Sequence, residues 1–272
     1  MTDKYAVIGN PIAHSKSPLI HHAFAKQFGH DLEYTAELLP IEALETGLGT
    51  LQKKGFKGLN VTVPFKEQVS QCLSKKSIHA TMAGAVNTIT FNADGSRYGD
   101  NTDGIGLCQD LTQNHQIDLS GKRLLLLGAG GAARGVILPL LSHKPAELII
   151  ANRTVNKAHN LVSLFDNAVL SASGFEQVSG PFDLIINATS ASLNGEIPPI
   201  PDSSVSGQTN CYDMMYGNTD TAFIKWAKTR QAAKTMDGLG MLVEQAAESY
   251  RIWRGVKPET KTIVELIKTT KA

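Results

Sequence analysis

Gly128-Ala129-Gly130-Gly131-Ala132-Ala133 is the stretch that most restricts what this chain can fold into. It fits the pattern Gly-x-Gly-x-x-Gly/Ala, and it stands directly behind Lys122-Arg123-Leu124-Leu125-Leu126-Leu127, a compact apolar run. A strand that runs into such a turn and opens a helix is the start of a dinucleotide-binding α/β domain. Gly128 permits the tight turn, Gly130 lets a pyrophosphate approach the backbone, and the small Ala133 lets helix and strand pack closely. The helix expected over Gly131–Leu141 then turns free N–H groups and a positive dipole end toward the phosphates.

The following strand, expected over Glu147–Ala151, selects between nucleotides. A chain that binds NAD usually carries Asp or Glu about 20 residues beyond the glycines, where it holds the ribose 2′-hydroxyl. Here the strand runs into Asn152-Arg153-Thr154, with Lys157 three residues on. A carboxylate would repel a 2′-phosphate, whereas an arginine bonds it through a charge-assisted fork and stacks on adenine. Thr154 adds a hydroxyl. The pattern favours NADP over NAD.

Around this core the chain alternates short apolar runs with helical patterns, the signature of an α/β protein. In the first hundred residues strands are expected at Tyr5–Ile8, Leu32–Glu37, Gly58–Thr62, Thr88–Phe91 and Arg97–Tyr98. Helices are expected at Ile41–Lys53, at Lys66–Leu73, and from Ser17, with Ser17 as N-cap and Pro18 at the first helical position. Asp94-Gly95 reads as a hairpin turn. Beyond the glycine loop, Ala168–Ser171, Asp183–Asn187 and Asn210–Asp213 supply further strands. Uninterrupted apolar strands of this kind suit a parallel sheet covered on both faces. Met241–Trp253 and Ile263–Lys268 read as closing helices. No linker composition marks a boundary, so motif order sets one near residue 103.

Bulk properties narrow the function. The 272 residues are 42% hydrophobic and 19% charged with a formal net charge of +1, which suits a globular chain and supports no nucleic-acid footprint. No apolar stretch approaches the roughly 20 residues that cross a bilayer, and no signal peptide is apparent. Cys72, Cys108 and Cys211 are too few and too scattered for a disulfide framework or a paired-cysteine zinc site. Asp100-Asn101-Thr102-Asp103-Gly104 lacks the closing glutamate of a calcium loop, so no metal is expected. His14 has no visible partner for acid–base work and is assigned a structural role, while Trp226 and Trp253 read as packing residues. The expected setting is a reducing cytoplasm.

Polar clusters stand at strand ends through the first half: Gly9-Asn10-Pro11-Ile12-Ala13-His14-Ser15-Lys16-Ser17-Pro18, Asn60-Val61-Thr62-Val63-Pro64-Phe65-Lys66, Ala85-Val86-Asn87-Thr88 and Gly99-Asp100-Asn101-Thr102-Asp103-Gly104. With the glycine loop and Asp237-Gly238-Leu239-Gly240-Met241-Leu242-Val243-Glu244-Gln245-Ala246, they make the chain closely similar to shikimate dehydrogenases over nearly its whole length. The resemblance implies reversible reduction of 3-dehydroshikimate to shikimate by NADPH, a step toward chorismate and the aromatic amino acids. It makes Lys66 and Asp103 the catalytic pair, and Ser15 and Ser17 the carboxylate-binding hydroxyls. It puts Asn60, Thr62, Asn87, Tyr216 and Gln245, besides Lys66 and Asp103, on the substrate. The cofactor side falls to Gly128, Gly130, Gly131, Ala132, Asn152, Arg153, Thr154, Lys157, Thr189, Met215 and Gly238. The resemblance also implies 1–102 as a substrate domain with a mainly parallel sheet, 103–237 as a Rossmann-type NADP domain, and 238–272 as helices returning to the first. The expectation is two α/β domains separated by a cleft that closes over both ligands. The partner is a small molecule, with neither nucleic acid nor membrane, and the chain is expected as monomer or homodimer. Two stretches, Ser190–Gly195 and Tyr216–Asp220, vary from the family pattern.

These residue types suit that chemistry. Ser15 and Ser17 flank a helix start, where hydroxyls and backbone N–H groups hold an anion without a buried arginine. Asn60, Asn87, Asp103 and Gln245 suit a ring bearing several hydroxyls. Hydride addition to a ketone builds charge on oxygen, which an ammonium such as that of Lys66 stabilises or protonates. A carboxylate at Asp103 orients that ammonium. Two alternatives stand beside this expectation: a quinate/shikimate dehydrogenase using NAD, and a non-catalytic dinucleotide-binding sensor.

Overall fold

The structure, a computed structural model, describes residues 2–269. The chain divides into two compact units. The first comprises residues up to Gly106 together with those from Leu242 onward, and the second is the continuous segment Leu107–Met241. The chain leaves the first unit within one helix, Asp103–Gln109, and re-enters it within another, Leu239–Arg254.

The first unit begins with β1 (Asp3–Gly9), α1 (Ser17–Phe28), β2 (Leu32–Leu38), α2 (Leu44–Lys53) and β3 (Phe56–Val61). It continues with α3 (Lys66–Cys72), β4 (Lys75–Lys76), α4 (Ile78–Ala83), β5 (Thr88–Phe91), β6 (Arg97–Asp100) and the start of α5 (Asp103–Gln109). Its sheet has the order β2-β1-β3-β5-β6-β4. Only β5 runs against the rest, being antiparallel to both β3 and β6. This reversal matters for the site, because the start of β5 comes to lie beside the ends of β3 and β6. One face of the sheet packs Ile8, Leu48, Leu59, Phe65, Val69 and Ile89 into a dry core. A smaller cluster joins Tyr5, Val7, Ile12 and Tyr34, with Trp253 packed against it.

The second unit holds β7 (Arg123–Leu127), α6 (Gly131–Ser142), β8 (Glu147–Ala151), α7 (Val155–Val162), β9 (Leu170–Ser173), β10 (Leu184–Asn187), β11 (Asn210–Asp213), α8 (Ala222–Thr229) and β12 (Lys234–Met236). The helices α9 (Leu239–Arg254) and α10 (Lys261–Thr269) complete the chain. Every strand of the second sheet is parallel to its neighbours, in the order β12-β11-β10-β7-β8-β9. Renumbered from β7 this is 3-2-1-4-5-6 read from the other edge, the doubly wound arrangement that binds dinucleotides at its central switch point. Leu124, Leu125, Leu126 and Leu127 are fully buried, as strands covered on both faces require. Among the described residues no helix is long and apolar enough to cross a membrane.

Several local expectations shift. Ser17 is not the N-cap of α1: Lys16 already has helical dihedrals and takes that position, without a side-chain cap. Ser17 therefore lies in the first turn, and its N–H donates instead to the Ser15 hydroxyl at 3.3 Å. β9 begins two residues later than its apolar pattern suggests. Ile41–Ala43 is a separate 3-10 turn ahead of α2.

Candidate active site

In the first unit, three strand termini deliver the polar groups to one edge. Asn60 pairs with Thr88 across β3 and β5, and Thr88 pairs with Asp100 across β5 and β6. Asn87 is thus clamped at the backbone on both sides: the Val61 N–H donates to its carbonyl at 2.8 Å, and its own N–H donates to the Asp100 carbonyl at 3.0 Å. Lys66 and Asp103 stand at the first positions of α3 and α5, which start from this same edge.

The side chains close into one network. Lys66 Nζ donates to Asp103 Oδ2 at 2.6 Å. Asp103 Oδ1 accepts from Asn87 Nδ2 at 2.8 Å, and Asn87 Nδ2 also faces Gln245 Oε1 at 3.3 Å. The Asn87 amide cannot turn over, since its Oδ1 accepts from the Thr102 N–H at 2.9 Å and the Thr88 hydroxyl at 2.8 Å. Its NH2 is therefore held toward the Asp103 carboxylate. Gln245, on α9, is fixed by an Nε2 bond to the Leu242 carbonyl at 2.8 Å.

Asn60 belongs to the same network. It is buried, its Oδ1 accepts from the Tyr34 hydroxyl at 2.7 Å, and its Nδ2 reaches Ser249 Oγ at 3.0 Å and the Asn87 carbonyl at 3.2 Å. Burial holds the Tyr34 phenol well above its ordinary range, against the effect of a hydrogen bond from Ser17. Thr62, just past β3, is half-buried, as is Ser15, while His14 is exposed. Thr88 and Thr102, from the polar clusters but without a role assigned there, carry the network together with Tyr34 and Ser249, which were not singled out from the sequence. As hydroxyl residues within apolar or mixed segments, they give no pattern that separates them from packing residues.

In the second unit, the parallel strands bring their carboxyl ends to one edge. Gly128 leaves β7 with φ +108°, a conformation that favours glycine. Gly130, the N-cap of α6, offers no side chain to cap the helix, and a Cβ built there meets nothing within 4 Å. Gly131 and Ala132 are exposed in the first turn, and Ala133 is fully buried against the sheet. Open space over an uncapped helix N-terminus is what a pyrophosphate needs, so these residues fit a dinucleotide. After β8, Asn152 Nδ2 bonds the Thr154 carbonyl at 2.9 Å, shaping a turn that leaves Arg153, Thr154 and Lys157 exposed. Arg153 borders a concavity of about 290 Å³ whose lining includes Val155, Phe175, Glu176, Gln177 and Pro199.

The ends of β10 and β11 are joined by Asn187 and Asp213, both fully buried. Asn187 Oδ1 accepts from the Thr189 N–H at 3.1 Å and hydroxyl at 2.7 Å, and its Nδ2 donates to Asp213 Oδ1 at 3.1 Å. Asp213 also accepts from the Met215 N–H at 3.1 Å and the Thr221 hydroxyl at 2.6 Å. Gly238 donates its N–H to the Met215 carbonyl at 3.2 Å. Thr189, Met215 and Gly238 are thereby linked, whereas Tyr216 is 42% exposed beside them in sequence. Asn187 and Asp213 were also not singled out. The available signal was a polar residue closing an otherwise apolar strand, Leu184-Ile185-Ile186-Asn187 and Asn210-Cys211-Tyr212-Asp213.

Comparison with known proteins agrees with this arrangement. Residues 7–89 match the shikimate dehydrogenase substrate binding domain, 110–195 match shikimate / quinate 5-dehydrogenase, and 238–268 match the shikimate 5′-dehydrogenase C-terminal domain. The chain is 53% identical to a shikimate dehydrogenase (NADP(+)) of Hahella chejuensis, over 96% of its own length and 97% of the relative's. Among solved structures, an Ael1 enzyme from Pseudomonas putida superposes with a TM-score of 0.94 at 42% identity, covering 97% of this chain and 98% of that one. A shikimate 5-dehydrogenase from Thermus thermophilus, in complex with NADP(H) and shikimate, superposes with a TM-score of 0.87 at 31% identity, covering 98% and 99%. With matches that run from residue 7 to residue 268 and a relative identical at half its positions, the chain belongs to the shikimate dehydrogenase family.

Proposed function

We propose that this protein is an NADP-dependent shikimate dehydrogenase, interconverting 3-dehydroshikimate plus NADPH with shikimate plus NADP in the route to chorismate. The observation that carries the proposal is the Lys66–Asp103 bond of 2.6 Å, with Asn87 on the other carboxylate oxygen and Gln245 beside it. The names of the relatives, all NADP-dependent shikimate dehydrogenases among those most similar in sequence, support it.

Bound NADPH supplies a hydride to the ketone carbon. Lys66 answers the charge that then develops on oxygen: its ammonium keeps further N–H donors beyond the one given to Asp103, and one of them stabilises or protonates the nascent alkoxide. Asp103 fixes the Lys66 rotamer and accepts from a ring hydroxyl. Asn87 and Gln245 read the remaining hydroxyls, and an analogue lacking one leaves a buried amide unpaired. Ser15 and Ser17, at the uncapped start of α1, take the carboxylate, and Thr62 also lines the substrate site. Asn60 lines the substrate site with them, and its bond to the Asn87 carbonyl helps hold Asn87 in place. Tyr216 is a further residue for the substrate. Residues 1–102 thus serve the substrate, 103–237 the dinucleotide, and 238–272 return Gln245 to the substrate side.

On the cofactor side, Gly128, Gly130, Gly131 and Ala132 receive the pyrophosphate, and Asn152, Arg153, Thr154 and Lys157 the phosphorylated ribose. Thr189, Met215 and Gly238 border the nicotinamide. The protein works in the cytoplasm as a monomer or homodimer, which light scattering distinguishes. The test of function is NADPH absorbance with purified protein, offering shikimate with NADP and quinate with NAD in parallel. Shikimate-dependent NADP reduction is expected, and Arg153→Ala should weaken NADP far more than NAD. Equal rates with NAD would remove Arg153 from its role. No turnover by protein that binds NADP would favour the sensor alternative.

A further inference from the structure

We infer that Asp213 is a positioning residue for the nicotinamide half of the dinucleotide, joining the loops that follow β10, β11 and β12 into one rigid seat. This rests on the second unit binding NADP. In a doubly wound sheet the two mononucleotide halves of the ligand lie over the two halves of the sheet. The glycine loop after β7 claims the pyrophosphate, and the turn after β8 the adenosine ribose. The nicotinamide half therefore falls to the ends of β10, β11 and β12.

The groups at those ends are Thr189, Met215 and Gly238, none of which carries a charge that would fix its own loop. What links them is one node, Asp213 acting with Asn187. Asn187 and Asp213 are direct partners in the β10–β11 register, at the last position of each strand. From there Asp213 Oδ1 takes Asn187 Nδ2 and the Met215 N–H, each at 3.1 Å, and Oδ2 takes the Thr221 hydroxyl at 2.6 Å. Ser192 adds a further hydrogen bond to the carboxylate. Asn187 passes the constraint to Thr189 through two bonds to its Oδ1. The Met215 carbonyl passes it to the Gly238 N–H. Gly238 itself packs so closely on Met214 that an added Cβ would collide with the Met214 carbonyl.

A carboxylate suits this node and an amide does not. Every described partner donates, so an ionised Asp213, which only accepts, satisfies all of them, whereas an NH2 in its place faces a donor. Burial pushes the Asp213 carboxyl above its ordinary range, while Thr221, Ser192, the Met215 N–H and Asn187 pull it back. A buried carboxylate whose described partners are all neutral is a costly way to hold two strand ends together, and apolar side chains would do so at less cost. Its distinctive effect is directional: it orients donors from loops that would otherwise be independent.

The experiment compares two ligands on Asp213→Asn by titration calorimetry: NADP, and 2′-phospho-ADP-ribose, which lacks the nicotinamide. The Asn variant should bind NADP about tenfold more weakly and bind the truncated ligand within about twofold of the unaltered protein. Equal weakening of both ligands would reduce Asp213 to a stability residue, and unchanged binding of both would also overturn the inference. Should Asp213→Asn fail to fold, Thr221→Val against Thr221→Ser provides the same contrast, with Ser restoring NADP affinity and Val not. Parent protein that bound neither ligand would instead overturn the dinucleotide reading on which the inference stands.

Discussion

The Lys66–Asp103 bond is short, yet it contributes little to the stability of the fold. Its side chains remain 31% and 20% exposed, and such partly solvated pairs are worth about 1 kcal/mol or less. Removing it should therefore register in turnover. Lys66→Met is expected to lower kcat by roughly 10²–10⁴-fold, with shikimate binding mostly kept and the melting temperature little changed. Asp103→Asn should raise KM as well, because in its proposed role the carboxylate also accepts from a ring hydroxyl. A Lys66→Met enzyme within tenfold of the parent kcat would take Lys66 out of the chemistry. Two glycines make a complementary pair. A methyl group at Gly130 meets no protein atom within 4 Å, and the backbone there is extended at φ −89°. Gly130→Ala should leave thermal stability intact while weakening NADP by about tenfold or more, since the methyl occupies space the pyrophosphate needs. Gly238→Ala, driven against the Met214 carbonyl, should lose stability and affinity together. Melting curves and NADP titrations on both variants distinguish a ligand cradle from a packing glycine.

At the scale of the element, α1 carries a titration that the sequence does not announce. His21 is fully buried and stacks on Tyr34 at 4.2 Å with an interplanar angle of 4°. Burial pushes its imidazole from the ordinary 6.5 down to about 3. The folded state thus keeps His21 neutral through a range in which the unfolded chain binds a proton. Stability falls as pH drops below 6.5, and this loss is complete only near the folded value of about 3. His21→Phe keeps a stacking ring and removes the proton uptake. Its stability advantage should grow by about 1.4 kcal/mol per pH unit below the unfolded-state value. Urea melts of both proteins at pH 7.5 and 5 test this, and a constant difference between them would show that His21 does not titrate on unfolding. The elements themselves were largely legible where physics is local. The leucine run of β7, the glycine turn and the start of α6 follow from pattern alone. The Ser17 N-cap was misjudged because the helix begins one residue earlier, with Ser15 supplying the local acceptor. The helices α4 and α5 and the strands β4 and β12 passed unseen, being 6, 7, 2 and 3 residues long, too short for periodicity to emerge. For the site, Lys66 and Asp103 sit at element starts in distinctive motifs. Ser249 matters through Asn60, 189 positions away, and pairing of that kind leaves no mark in a single sequence, whereas Asp213 offered only the weak signal of a polar residue closing an apolar strand.

At the scale of the whole molecule, the two units differ in how the chain builds them, and this predicts how each responds to being cut. The second unit is one continuous segment, Leu107–Met241. Its sheet pairs only strands from within that segment, and the apolar cluster from Leu125 to Ala227 draws all its members from it. The first unit is discontinuous, since residues from Leu242 onward complete it. Trp253 stacks on Tyr5 at 4.8 Å and donates its indole N–H to the Ile89 carbonyl at 3.0 Å. Tyr250 is fully buried among His21, Phe24 and Phe28, and Ser249 receives the Asn60 amide at 3.0 Å. Without α9 these aromatic faces and buried amides would meet water or go unpaired, a loss of several contacts each worth about 1–3 kcal/mol, against a net stability of only about 5–15 kcal/mol for a domain. A fragment of residues 107–241 should therefore melt cooperatively and still bind 2′-phospho-ADP-ribose, whereas residues 1–106 alone should show no cooperative transition. Circular dichroism melts and calorimetry on the two fragments decide it. A folded 1–106 would mean that the first sheet closes its core without α9, and that the role of the returning helix is to deliver Gln245 rather than to hold the unit together.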